Sequence, residues 1–138
     1  MLNAAAAVRI RKEPDLVWRT VGAFSAIGKW HPLISRLQSE GEVPGARREA
    51  ETLTGETEVD RLEEMCPPER FYRYRIEQTP MPVRNCMAEL RVDDNGDGTS
   101  TVNWRSEFEV TAGDEARAVQ GVQDFLDAGL DNLQKLCV

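Results

Sequence analysis

One long amphipathic helix closes a chain whose other patterns are mostly those of strands. From Asp114 onward, Val119, Val122, Leu126, Leu130, Leu133 and Cys137 recur at helical spacing, and Phe125 and Gly129 widen the stripe. A single apolar stripe of that length needs one broad apolar surface to lie on. Strand-like segments precede it, six of them after a short helical stretch, so the expected product is one α+β unit in which a sheet receives a helix.

The strand assignments rest on period-two alternation. Residues 4–11 read as a first strand with Val8 and Ile10 on one face, ended by Glu13-Pro14-Asp15. Leu16, Val17, Val21 and Phe24 then recur at helical spacing with Trp18 beside them, and Trp30-His31-Pro32-Leu33-Ile34 reads as a second short helix or tight turn. Val43-Pro44-Gly45 is a turn signature, which makes residues 37–42 and 46–53 a hairpin. Residues 56–65 form a charged strand that Pro67-Pro68 ends, because proline supplies no ladder donor. Tyr72, Tyr74 and Ile76 alternate with Arg73, Arg75 and Glu77; Cys86, Ala88, Leu90 and Val92 share a face; Val102, Trp104, Ser106, Phe108 and Val110 share another. The Asp- and Gly-rich stretch at 93–98 matches the opening of a calcium loop, but its twelfth position is Trp104 where a bidentate glutamate belongs. A hairpin turn is expected there, and no metal or cofactor.

Length and charge narrow the function classes. A chain of 138 residues is a single domain able to bury roughly two thirds of its unfolded surface. With 24 acidic and 17 basic residues, the net charge is -7, and its field repels phosphate backbones and anionic lipid surfaces. Nucleic acid is therefore not an expected partner, nor is membrane insertion, since no apolar run approaches bilayer-spanning length. The short Ala run at the start lacks a signal-peptide layout. Three widely spaced cysteines suit a reducing compartment better than a disulfide framework. A cytoplasmic location is the expectation.

Several residues together resemble a known family. Val17-Trp18, Trp30-His31-Pro32, Gly45 with Arg48, Asp60-Arg61-Leu62-Glu63, Tyr72-Arg73-Tyr74, Trp104 and Gly129-Leu130 with Leu133 occur in the order found in the START-like, Bet v 1-like superfamily. The chain is most similar there to the polyketide cyclase/dehydrase and lipid-transport branch. The resemblance implies a helix-grip fold: a curved seven-stranded antiparallel sheet around a long C-terminal helix, with two short N-terminal helices closing one end of a cavity. It also implies a cavity entrance between Thr54-Gly55, Met81-Pro82 and Trp30-His31-Pro32. Plant abscisic-acid receptors share Gly45 to Arg48 and Asp60 to Glu63, but their Ser-Gly-Leu-Pro gate is replaced here by Thr52-Leu53-Thr54-Gly55-Glu56.

Within such a fold, Trp30, Tyr72, Tyr74, Met81, Trp104, Phe108, Val122 and Leu126 are expected to line the cavity, offering large apolar area with a few polar handles. Arg48 shares strand parity with Ala50, and Asp60 with Glu58 and Leu62, so both charges are expected to look inward as a pair, with Glu58 near them. His31, the only histidine, either hydrogen-bonds a ligand at the mouth or ties down the second helix. The leading expectation is a carrier or sensor of one small hydrophobic or amphipathic ligand. The alternative is a cofactor-independent polyketide cyclase or dehydratase using Arg48, Asp60 and His31. A groove receiving a protein segment is a third possibility.

Overall fold

In the computed structural model, which describes residues 1–137, seven antiparallel strands form one sheet in the order β1-β7-β6-β5-β4-β3-β2. They are β1 (Leu2–Ile10), β2 (Ile34–Ser39), β3 (Arg47–Thr52), β4 (Thr57–Cys66), β5 (Phe71–Gln78), β6 (Val83–Asp94) and β7 (Ser100–Val110). Between β1 and β2 lie α1 (Pro14–Val21), a single 3-10 turn (Phe24–Ala26) and the one-turn α2 (Ile27–Trp30). The long α3 (Glu115–Leu136) ends the chain. This is the α+β helix-grip arrangement that the resemblance implied.

Local chemistry sets the element ends. Pro14 opens α1 at a position where its missing N–H costs nothing. Asp114 caps α3 by accepting from the Ala116 N–H at 2.8 Å. Between β6 and β7, Asp94 accepts from the Gly96 N–H and Asp97 from the N–H and hydroxyl of Thr99, so the acidic stretch folds as a hairpin turn, with Gly96 and Gly98 in the left-handed region.

The inner face of β5, β6 and β7 supplies Tyr72, Tyr74, Cys86, Ala88, Leu90, Val92, Val102, Trp104 and Phe108, all buried. Against it α3 lays Val122, Leu126, Leu130 and Leu133, so the expected stripe is the buried one. Away from α3, Glu89 accepts from Arg73, Arg91 and Arg105, which keeps the charges of alternating positions on the other side. The second strand, expected over 37–42, is displaced by three residues, so that 37–39 belong to it and 40–42 do not. It runs from Ile34 to Ser39, and Glu42 lies in the following loop, where its carboxylate accepts from the N–H groups of Phe24 and Ser25.

Candidate functional site

The sheet face that meets α3 contains one charged cluster. Arg48 and Asp60 stand directly opposite each other on β3 and β4 and are 1% and 2% exposed. Arg48 Nε donates to Asp60 Oδ2 at 2.9 Å, while Nη1 donates to the Phe24 carbonyl at 2.7 Å and the Tyr72 hydroxyl at 3.3 Å. The same Glu42 contacts that hold the 3-10 turn therefore place the carbonyl that Arg48 uses. The guanidinium carbon also sits 4.1 Å from the Phe24 ring centre and 4.6 Å from that of Tyr74, so aromatic faces cover the Nη2 that has no hydrogen-bond partner.

Asp60 Oδ1 is the other unpartnered atom of this pair. Glu58 stands two residues earlier on the same face of β4. Glu58 is half-buried. Burial, then the charge of Asp60, pushes Glu58 well above the usual carboxylate range; burial also raises Asp60 against the pull of Arg48.

Two recesses lie beside this cluster. The inner one, about 30 Å3, is lined by Glu58, Tyr74, Ile76, Thr79, Met81, Cys86, Val122, Phe125 and Leu126, and has room for a water molecule or two. The outer one, about 360 Å3, opens between the β3–β4 loop, the β5–β6 loop and α3, with Leu33, Leu53, Pro80, Met81, Gly121 and Phe125 on its walls. Met81 and Phe125 belong to both, so these two side chains are the partition.

Of the residues singled out in the sequence, Tyr74, Met81, Val122 and Leu126 line the inner recess. Trp30, Tyr72, Trp104 and Phe108 line neither; they are packed into the core, with Trp30 edge-on to Trp104 at 5.3 Å and Phe24 edge-on to Tyr72 at 5.7 Å. Trp104 Nε1 donates to the Tyr74 hydroxyl at 3.0 Å. Pro82 is exposed in the β5–β6 loop, where its carbonyl accepts from Thr111. Phe125, Thr79, Gly121 and Leu53 were not singled out as site residues. Phe125 could have been, since it widens the helix stripe.

His31 ties elements together. Its Nδ1 accepts from the Leu33 N–H at 3.2 Å, which leaves the proton on Nε2 to be donated to the Phe125 carbonyl at 2.8 Å. The ring stacks on Phe125 with centres 4.0 Å apart. Gly129 makes the approach possible, because a Cβ there would lie 2.6 Å from His31 Cδ2 and 2.8 Å from Trp104 Cζ3. Burial, opposed by the Phe125 hydrogen bond, lowers the imidazole pKa from 6.5 to about 4. An unfolded chain takes up that proton near 6.5, so the stabilisation by neutral His31 is complete above about 6.5 and is lost as pH falls toward 4. At about pH 6.5, where a free imidazole is half-protonated, the single histidine's NMR resonances should still be those of the neutral ring. A midpoint near 6.5 in the folded protein would remove this account of His31.

A family model described as polyketide cyclase / dehydrase and lipid transport matches residues 1–138. Among solved structures, the chain is similar to a protein of Thermobifida fusca at 31% identity, covering 99% of this chain and 93% of that one, with a TM-score of 0.85. It is also similar to XoxI of Bacillus cereus at 27% identity, covering 99% and 96% of the two chains, with a TM-score of 0.92. A Bacillus thuringiensis protein is 28% identical over 98% of both chains, with a TM-score of 0.91. No match was found among curated proteins.

Proposed function

The chain belongs to the polyketide cyclase/dehydrase and lipid transport family, and on that premise we propose that it holds one small hydrophobic or amphipathic molecule, of lipid or polyketide type, between the sheet and α3. The observation that carries this reading is the shared wall. Met81 and Phe125 separate an outer recess of about 360 Å3, within the usual range for small-molecule pockets, from an inner one that already has a polar end. On this reading those two side chains turn aside to join the recesses. Leu33 and Leu53, 38% and 64% exposed, give the rim apolar surface that an entering ligand would cover. Among the described residues no helix is long and apolar enough to cross a membrane.

Gly121 provides the test. It lies on α3 in the wall of the outer recess, and a Cβ there meets nothing within 4 Å. Gly121→Trp should therefore fill the mouth while leaving the fold intact. Binding of an uncharged fluorescent probe such as Nile red is expected to weaken about tenfold or more, as when a ligand loses a little over 1.4 kcal/mol. Equal affinity in a folded Gly121→Trp variant would place the bound probe elsewhere. Native mass spectrometry of protein from its own source would then name the class of any retained ligand.

A second reading, a cyclase or dehydratase, is favoured by the carboxyl cluster beside the inner recess. Both reactions need a carbonyl polarised and a proton moved, which an enclosed acid can do. Turnover of a poly-β-ketone substrate, lost in a variant that still folds and still binds, would select it.

A further inference from the structure

Small residues make the inner recess. On the sheet face toward α3 the register aligns Tyr74 of β5 with Ala88 of β6 and Ser106 of β7, and the neighbouring row aligns Ile76 with Cys86. All five line the recess. Ala88 and Ser106 are short, so space is left above their strands, and Tyr74 spans β6 to reach Trp104 on β7, its oxygen 3.0 Å from Trp104 Nε1.

That contact has only one possible direction. An indole N–H donates and never accepts, so the Tyr74 oxygen is the acceptor and its own proton is not used. Among the described residues nothing accepts that proton, and with Tyr74 3% exposed, bulk water does not take it either. The other hydroxyls of the recess are placed differently. Ser106 donates to the Met87 carbonyl at 3.3 Å, and Thr79, which accepts from the Met81 N–H at 3.2 Å, is half-buried. Tyr74 therefore brings to the recess a donor that is buried, fixed at its oxygen and unspent. The Trp104 N–H draws charge from that oxygen, and the Arg48 guanidinium carbon lies 4.6 Å from the ring centre, so both neighbours make the O–H a better donor. Burial outweighs them in the titration and holds the hydroxyl pKa well above its ordinary value, which keeps the proton in place.

Resting on the cavity reading above, we infer that the Tyr74 hydroxyl is the group that recognises the ligand, donating to a carbonyl oxygen at the tip of an otherwise apolar molecule. The two recesses give that molecule its shape. The inner one, about 30 Å3, has room for a head of one or two heavy atoms, such as a ketone or aldehyde, and the outer one, about 360 Å3 beyond Met81 and Phe125, takes the body. A carbonyl oxygen only accepts, which is what the unspent proton requires. A wholly apolar head in the same place leaves the proton buried without a partner, and that difference is the source of selectivity.

The test compares methyl 2-naphthyl ketone with 2-isopropenylnaphthalene, in which a CH2 group replaces the carbonyl oxygen and the shape is kept. The hydrocarbon leaves water more readily, so the readout is the ratio of the two affinities and its change on substitution. Tyr74→Phe keeps the ring beside Arg48 and removes the donor. It should cut the ketone-to-hydrocarbon ratio about fivefold, the ordinary net worth of one hydrogen bond, with the hydrocarbon's affinity unchanged. Thr79→Val should leave the ratio at its wild-type value. A Tyr74 that served only to satisfy Trp104 would change stability alone, so an unchanged ratio in folded Tyr74→Phe overturns the inference, as does a ratio that falls with Thr79→Val instead. The wild-type protein supplies a second measurement should Tyr74→Phe fail to fold. It has two tyrosines, so 13C-labelled tyrosine isolates the Tyr74 Cζ resonance, which should move further with the ketone than with the hydrocarbon. Equal movement overturns the inference. Each of these overturning results leaves the cavity reading standing, because both probes still bind. If neither probe binds the wild-type protein, the cavity reading falls and the inference falls with it.

Discussion

Arg48→Met is expected to destabilise the protein by about 3–5 kcal/mol at neutral pH, the usual consequence of removing one partner of an enclosed ion pair. The loss has several parts. Asp60 loses its 2.9 Å donor, the Phe24 carbonyl loses its 2.7 Å donor, and the rings of Phe24 and Tyr74 lose the cation between them. The pH dependence has a defined sign. Without Arg48, burial acts on Asp60 without its main opponent and raises it further, so the folded variant holds protons that the unfolded chain releases. The added stability is complete below the unfolded carboxylate pKa, about 3.9, and is lost as pH rises through the folded value, so the variant should look least damaged in mild acid. Arg48→Met combined with Asp60→Leu should recover much of the loss by removing the stranded charge as well. Urea denaturation of the single and double variants decides the matter: a single-variant loss under about 1 kcal/mol, typical of exposed pairs, would mean that solvent reaches the pair.

Leu126→Ala is expected to cost about 2–5 kcal/mol. Leu126 is 2% exposed at the middle of α3, between the helix and the sheet, and its side chain is also a wall of the inner recess. Truncation therefore removes packing on both sides, and the space created adjoins space already present, so little collapse can refill it. The denaturation midpoint should fall with no change in its slope. A loss below about half a kcal/mol, the range of ordinary surface substitutions, would mean that the helix is not seated through this residue.

The fold was readable where side-chain period and burial coincide. β7 alternates from Val102 to Phe108 without a break, and α3 keeps its stripe for its whole length, because each element presents one face to one continuous core. Parity alone placed Arg48 and Asp60 inward, and the register sets them opposite each other. β2 was not readable in the same way. It is an edge strand with a register irregularity between Ile34 and Arg36, paired on one side only, so its burial does not alternate and the hairpin signal at Val43-Pro44-Gly45 drew the strand three residues too late. Glu42 looked like part of that strand because nothing local reveals that its partners are the N–H groups of Phe24 and Ser25. The site was less legible still. An aromatic residue on an inward face can fill a space or border one, and the difference depends on what the neighbouring elements bring. Trp30, Phe24 and Tyr72 arrive from separate elements to fill one end, while Phe125 borders the other. Glu58 was visible as a neighbour of Asp60, but the recess it lines is completed by a wall made by β5, β6 and α3.

The hydrogen bond from His31 to the Phe125 carbonyl bears on how quickly the two recesses can communicate. It fixes the backbone at Phe125 to the turn after α2, while the Phe125 ring stacks on His31 and meets Trp104. The partition is therefore two side-chain torsions, that of Phe125 on a tethered helix and that of Met81 in the β5–β6 loop. Ligand exchange governed by such torsions needs none of the helix or domain displacement that takes microseconds to milliseconds. Residence time would then be set by how well the occupant fits, not by a slow conformational clock.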